Sequence, residues 1–149
     1  MKKIILLMLV IILTACSFNT ASELRENKTK WEEANIKHYR YSVFIGCFCA
    51  FMNDMPLTIE VKDGETVSIT TKDGLEINPA STFYETYIPF STIDRILLNL
   101  EAAITKDADE VAVTYDPVYG YPLDISIDYI KEAVDDEVSY GITNFEILK

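Results

Sequence analysis

Tyr121-Pro122-Leu123-Asp124-Ile125-Ser126-Ile127-Asp128-Tyr129 decides the reading of this chain. Tyr121, Leu123, Ile125, Ile127 and Tyr129 alternate with Pro122, Asp124, Ser126 and Asp128. Successive side chains on a strand point to opposite faces, so this stretch is a long strand with one face in a core and one in water.

The same period of two recurs on both sides of it. Tyr39, Tyr41, Val43 and Ile45 alternate with Arg40 and Ser42, and Val111, Val113 and Tyr115 form a strand that turns at Asp116-Pro117-Val118-Tyr119-Gly120. Val138, Tyr140 and Ile142 begin a last strand, but Phe145 and Ile147 have the opposite parity, and a bulge near Thr143 restores the register. Leu57-Thr58-Ile59-Glu60-Val61 and Val67-Ser68-Ile69 flank Lys62-Asp63-Gly64, a hairpin signal. A two-residue loop would set Glu60 against Val67, whereas a three-residue loop sets Ile59 against Val67 and Leu57 against Ile69, so three is expected. Lys72-Asp73-Gly74 repeats the turn and predicts a short strand over Leu75 to Ile77.

Two stretches read as helices. Thr20-Ala21-Ser22-Glu23 has capping-box spacing and predicts a helix running to about Lys37, with Leu24, Trp31, Ala34 and His38 near one face and Trp31 pinning it to the sheet. Ser91-Thr92-Ile93-Asp94 opens the second, with Ser91 as the expected cap; Ile93, Ile96, Leu97, Leu100 and Ile104 form an apolar stripe to about Thr105. Between strands and helix, Asn78 to Phe90 carries Phe83, Tyr84, Tyr87 and Ile88, either packed over the sheet edge or exposed as an aromatic binding loop. The strands after each helix are joined by short links, which favour antiparallel pairing. The expected fold is α+β: about six antiparallel strands with two helices on one face. Met55-Pro56-Leu57-Thr58-Ile59 echoes Tyr121-Pro122-Leu123-Asp124-Ile125, a hint of a duplicated α-βββ unit.

Ahead of the fold, Lys2 and Lys3 precede an apolar run from Ile4 to Leu13. That run suits a secretory signal and is too short for a spanning helix, which needs about 20 apolar residues. Leu13-Thr14-Ala15-Cys16 resembles the lipobox of bacterial lipoproteins, in which the cysteine is lipidated and becomes the first mature residue. The expected organisation is a signal peptide over 1–15, a lipidated tether over 16–22 and a single α+β domain over 23–149. The expected address is the bacterial cell envelope, facing outside the cytoplasm and held through acyl chains on Cys16. The competing reading is an ordinary secretory peptide cut near Ala15.

The chain carries 13 basic and 24 acidic residues. Loss of Lys2 and Lys3 leaves 11 basic residues against 24, a formal −13. Such a charge argues against nucleic-acid binding and against adhesion to anionic lipid, leaving the lipid to hold the domain at a membrane.

Cys47-Phe48-Cys49 follows the first strand. Export favours a disulfide, but residues two apart on a strand have Cα atoms about 6.6–6.8 Å apart, at the limit for a bridge. Closure needs a turn, which Gly46 permits; a disulfide, free thiols and a redox or metal site all remain open. This motif, with Tyr39-x-Tyr41, Pro56, Asp63-Gly64, Ser91-Thr92-Ile93-Asp94, Tyr115-Asp116, Gly120-Tyr121-Pro122, Asp128 and Asp135-Asp136-Glu137, resembles an uncharacterised bacterial lipoprotein family, domain of unknown function 6174. The resemblance implies a secreted or lipid-anchored domain with no established activity.

Asp124, Ser126, Asp128 and Asp135 occupy positions 1, 3, 5 and 12 of a calcium loop, but Tyr129 stands where such a loop needs glycine, so an EF-hand is rejected. A looser cation site at Asp135, Asp136 and Glu137 competes with a solvated acidic turn. The single histidine, His38, is expected to cap or pack, and no hydrolase, phosphate-loop or zinc-protease motif occurs. The sequence therefore predicts a non-enzymatic binding or scaffolding lipoprotein, with no cofactor beyond its lipid and an unidentified envelope partner. The alternatives are a thiol-based role for Cys47 and Cys49 and an inhibitor of an extracellular enzyme.

Overall fold

The computed structural model describes residues 20–133 and 135–149. The expected signal peptide, the expected lipidation site Cys16 and the first residues of the expected tether lie outside them. Helix α1 covers residues 20–34 and stops at Asn35, whose φ of 49° is left-handed. It ends before Lys37, and His38 opens strand β1 (His38–Gly46) instead of closing the helix.

The remaining strands are β2 (Leu57–Lys62), β3 (Glu65–Thr70), β4 (Glu110–Tyr115), β5 (Pro122–Asp128) and β6 (Val138–Ile147). They form one antiparallel sheet in the order β3-β2-β1-β6-β5-β4. Core-facing Tyr39, Tyr41, Val43 and Ile45 lie beside Leu57, Ile59 and Val61 on one flank and Tyr140 and Ile142 on the other.

The hairpin between β2 and β3 departs from expectation. Lys62 pairs with Glu65, so the loop is the two residues Asp63 (φ 52°) and Gly64 (φ 81°), the left-handed pair that suits strand twist. The parity conflict is absorbed by a bulge that leaves Val67 exposed and sets Ile59 against Ile69. The β6 bulge lies where parity requires it: Ser42 faces Thr143 and Arg40 faces Glu146, leaving Asn144 (φ 52°) and Phe145 opposite Tyr41. Leu75–Ile77 contributes only a bridge between Thr70 and Glu76, because exposed Leu75 has no core to join.

The connection after β3 packs inward. It forms α2 (Tyr84–Tyr87) and a 3₁₀ turn at Ile88–Phe90, with Tyr87 fully buried. Helix α3 (Ile93–Ala102) then buries Ile93, Ile96, Leu97 and Leu100. Its cap is Thr92, whose hydroxyl accepts from Arg95 N at 3.1 Å. Ser91, the expected cap, instead donates to Ile88 O and accepts from the Arg95 guanidinium at 2.7 Å.

Both long helices cover the same face. Trp31 of α1 meets Tyr39 edge-on at 5.3 Å, with Tyr121 and Phe145 around it, and Ile93 N of α3 donates to the Tyr39 hydroxyl at 3.2 Å. Helix-then-three-strands occurs twice, but β1 and β6 are the antiparallel neighbours at the join. Seen from the helices with each first strand pointing up, one meander steps left and the other right, so no rotation superimposes the two halves.

Candidate functional site

Cys47 and Cys49 are joined by a disulfide, with Cα atoms 5.2 Å apart. The strand geometry that stood against closure ends at Gly46, and the chain bends at Cys47 and Phe48. The bend is held from both sides without the bridge. Gly46 pairs with Ser139 of β6, and a Cβ at Gly46 would collide with the Ser139 hydroxyl oxygen. On the far side, Phe51 inserts against Phe83 and Tyr87 at 5.8 and 5.4 Å. A 3₁₀ turn at Met52–Asp54 follows, and Asp54 accepts from the Tyr87 hydroxyl at 2.7 Å while its carbonyl accepts from Lys72 N at 3.1 Å. Burial, with Asp54 beside it, pushes the Tyr87 phenol well above its ordinary value.

Both cysteines are half-buried, and Phe48 between them is 94% exposed. An open recess of about 500 Å³ is lined by Cys47, Phe48, Cys49, Ala50 and Met52. A bridge across one residue closes a loop of three; chain entropy makes that worth about 1.6 kcal/mol, roughly half the value for a 15-residue loop. Sequence reasoning missed Phe48 and Met52. No period marked them: strand β1 ends at Gly46 and the chain bends, so strand parity does not extend to Phe48.

The carboxylates of Asp135, Asp136 and Glu137 lead to different surroundings. Among the described residues no three His, Cys, Asp or Glu side chains stand together as a metal would require. Asp135 is exposed at φ 71°, Glu137 is exposed, and Asp136 spends one oxygen on Ile130 N at 2.7 Å. Lys131 N donates to Asp109 in the same way at 3.1 Å. Asp128 Oδ1 and Asp136 Oδ1 are enclosed with no hydrogen-bond partner among the described residues. Partial burial, followed by the charges of Asp136, Glu137, Asp109 and Glu110, raises the Asp128 carboxyl above its ordinary value.

The sheet face opposite the helices carries an ion-pair row. Arg40 bridges Glu60 at 2.9 Å and Glu146 at 3.1 Å, joining β2, β1 and β6, and His38 Nε2 lies 2.9 Å from Glu60. Arg40, then His38, hold Glu60 below the ordinary carboxylate range. Beside this row, the small residues Ala112, Ser126, Ser139 and Gly141 line a shallow trough of about 570 Å³ that Phe44 borders. His38 is thus a strand residue paired with a carboxylate, where the sequence placed it at a helix end.

No curated protein and no solved structure matches the chain. The model of a family of unknown function, DUF6174, matches residues 23–147, which take in every strand, the disulfide loop and the acidic segment. The chain belongs to the DUF6174 family.

Proposed function

We propose that this chain is a lipid-anchored protein of the cell envelope whose folded domain is a non-enzymatic binding or scaffolding module. The observation that carries the reading is Leu13-Thr14-Ala15-Cys16 behind a basic and apolar leader, with helix already present at residue 20. So short a link, at most about 14 Å for four residues, holds the domain close to its lipid. The single histidine, His38, is already engaged with Glu60. The sheet face without helices supplies a broad surface for a partner.

Metabolic labelling with a fatty-acid analogue and membrane fractionation test the anchor. The wild-type chain takes the label and sediments with membranes, and Cys16→Ala loses both; a Cys16→Ala chain that stays in the membrane fraction refutes the anchor. Affinity capture from envelope extracts tests the binding role, with Ser126→Arg in the trough as control. A protein retained by wild type and lost by Ser126→Arg supports the module, and equal capture by both removes this face from it.

A further inference from the structure

We infer that Cys47–Cys49 is an exchange-active disulfide that accepts electrons from a protein dithiol, with Phe48 and Met52 as the apolar seat for the incoming chain. This goes beyond the proposed binding role and does not depend on the anchor.

Three observations lead to it. The bridge has little structural work, because it spans a single residue while Gly46–Ser139 pairing, the Phe51–Phe83–Tyr87 rings and the Tyr87–Asp54 hydrogen bond already fix both ends of the loop. A disulfide that closes so small a loop constrains the unfolded chain least. The two cysteines are half-buried, packed against the core on one side and lining the open recess on the other, and exchange requires that a thiolate reach a sulfur through that opening. The residue enclosed by the ring, Phe48, is turned almost wholly to solvent beside the recess that Met52 and Ala50 complete. An exposed aromatic there buries apolar area only when another chain arrives.

The step balances as ordinary thiol–disulfide exchange. A partner thiolate attacks one sulfur of the pair, the Cys47–Cys49 bond breaks, and a mixed disulfide forms while the other cysteine leaves as thiolate. The partner's second thiolate then attacks the mixed disulfide. The partner ends as a disulfide, and Cys47 and Cys49 end as two thiols, having gained two electrons and the partner's two thiol protons. Both ends of the loop keep their non-covalent ties, so the fold survives the change.

The test equilibrates the full chain, without denaturant, in glutathione buffers from excess oxidised to millimolar reduced. Thiols are counted by maleimide mass shift against a Cys47→Ser/Cys49→Ser chain. The expected result is a reversible passage from zero to two additional thiols within that range, with an unchanged far-ultraviolet circular dichroism spectrum. A structural bridge stays oxidised throughout, and that outcome, or reduction only on unfolding, overturns the inference. Phe48→Ser is then reduced by glutathione as wild type is but by reduced thioredoxin about tenfold more slowly, the equivalent of half a buried aromatic ring; an equal thioredoxin rate overturns the role given to Phe48.

Discussion

Tyr39 is buried to its hydroxyl, and that hydroxyl accepts from the first backbone N–H of α3. Burial raises its phenol well above the ordinary value, so it stays protonated. Tyr39→Phe keeps the ring contacts with Trp31, Tyr41 and Phe145 but strands the Ile93 N–H. The expected cost is about 1–3 kcal/mol in urea unfolding, against a near-neutral Tyr84→Phe control. Asp128 has the opposite sign. A carboxyl whose folded state binds protons more tightly than the unfolded chain costs stability while ionised, and the cost fades as pH falls through the raised value. Asp128→Asn therefore melts at a higher temperature than wild type at pH 7, and the gap closes below the ordinary carboxylate value of about 4. An unchanged melting temperature at pH 7 would contradict the crowding of Asp128 by its acidic neighbours.

At the scale of elements, α3 starts on Thr92 and not on Ser91, so Thr92→Ala should cost about 1 kcal/mol, the usual price of a lost cap. Ser91→Ala removes bonds to Ile88 O and the Arg95 guanidinium but leaves the helix capped; thermal melts of the pair separate the roles. Gly120 closes the β4–β5 turn at φ 77°, and a Cβ there would run into the Asn27 carbonyl and Lys30 Cβ of α1. Gly120→Ala should cost more than the 1–2 kcal/mol or so of the left-handed conformation alone, because a helix backbone blocks relief; urea unfolding measures it. The strands and the α3 stripe were legible because burial on one face writes a period into the sequence. Where two local solutions satisfy the same parity, the period cannot choose: a three-residue loop and a two-residue loop with a bulge at Val67 both restore the faces, and twist favours the second. Ser91 and Thr92 are equally good caps by composition, and only the turn at Ile88–Phe90 decides between them. The disulfide was legible as a pair of cysteines; its closure depended on the bend after Gly46, which no periodicity records.

For the whole molecule, the two meanders meet along β1 and β6, so the edges are β3 and β4 and the middle is built from the first and last strands in chain order. Time enters the fold through this arrangement. A chain that emerges from its N-terminal end can assemble β1, β2 and β3 early, but β1 must wait with one side open until residues 138–147 arrive. Until then β5 also lacks its inner neighbour, and the sheet is two separate flaps. A chain stopped at residue 137 keeps five of the six strands and should show no cooperative melt, a loss out of proportion to the length removed. Were the chain exported unfolded, as proposed, β1 would stay bare on one side until residues 138–147 had crossed, and any helper that shields a bare strand would be needed there.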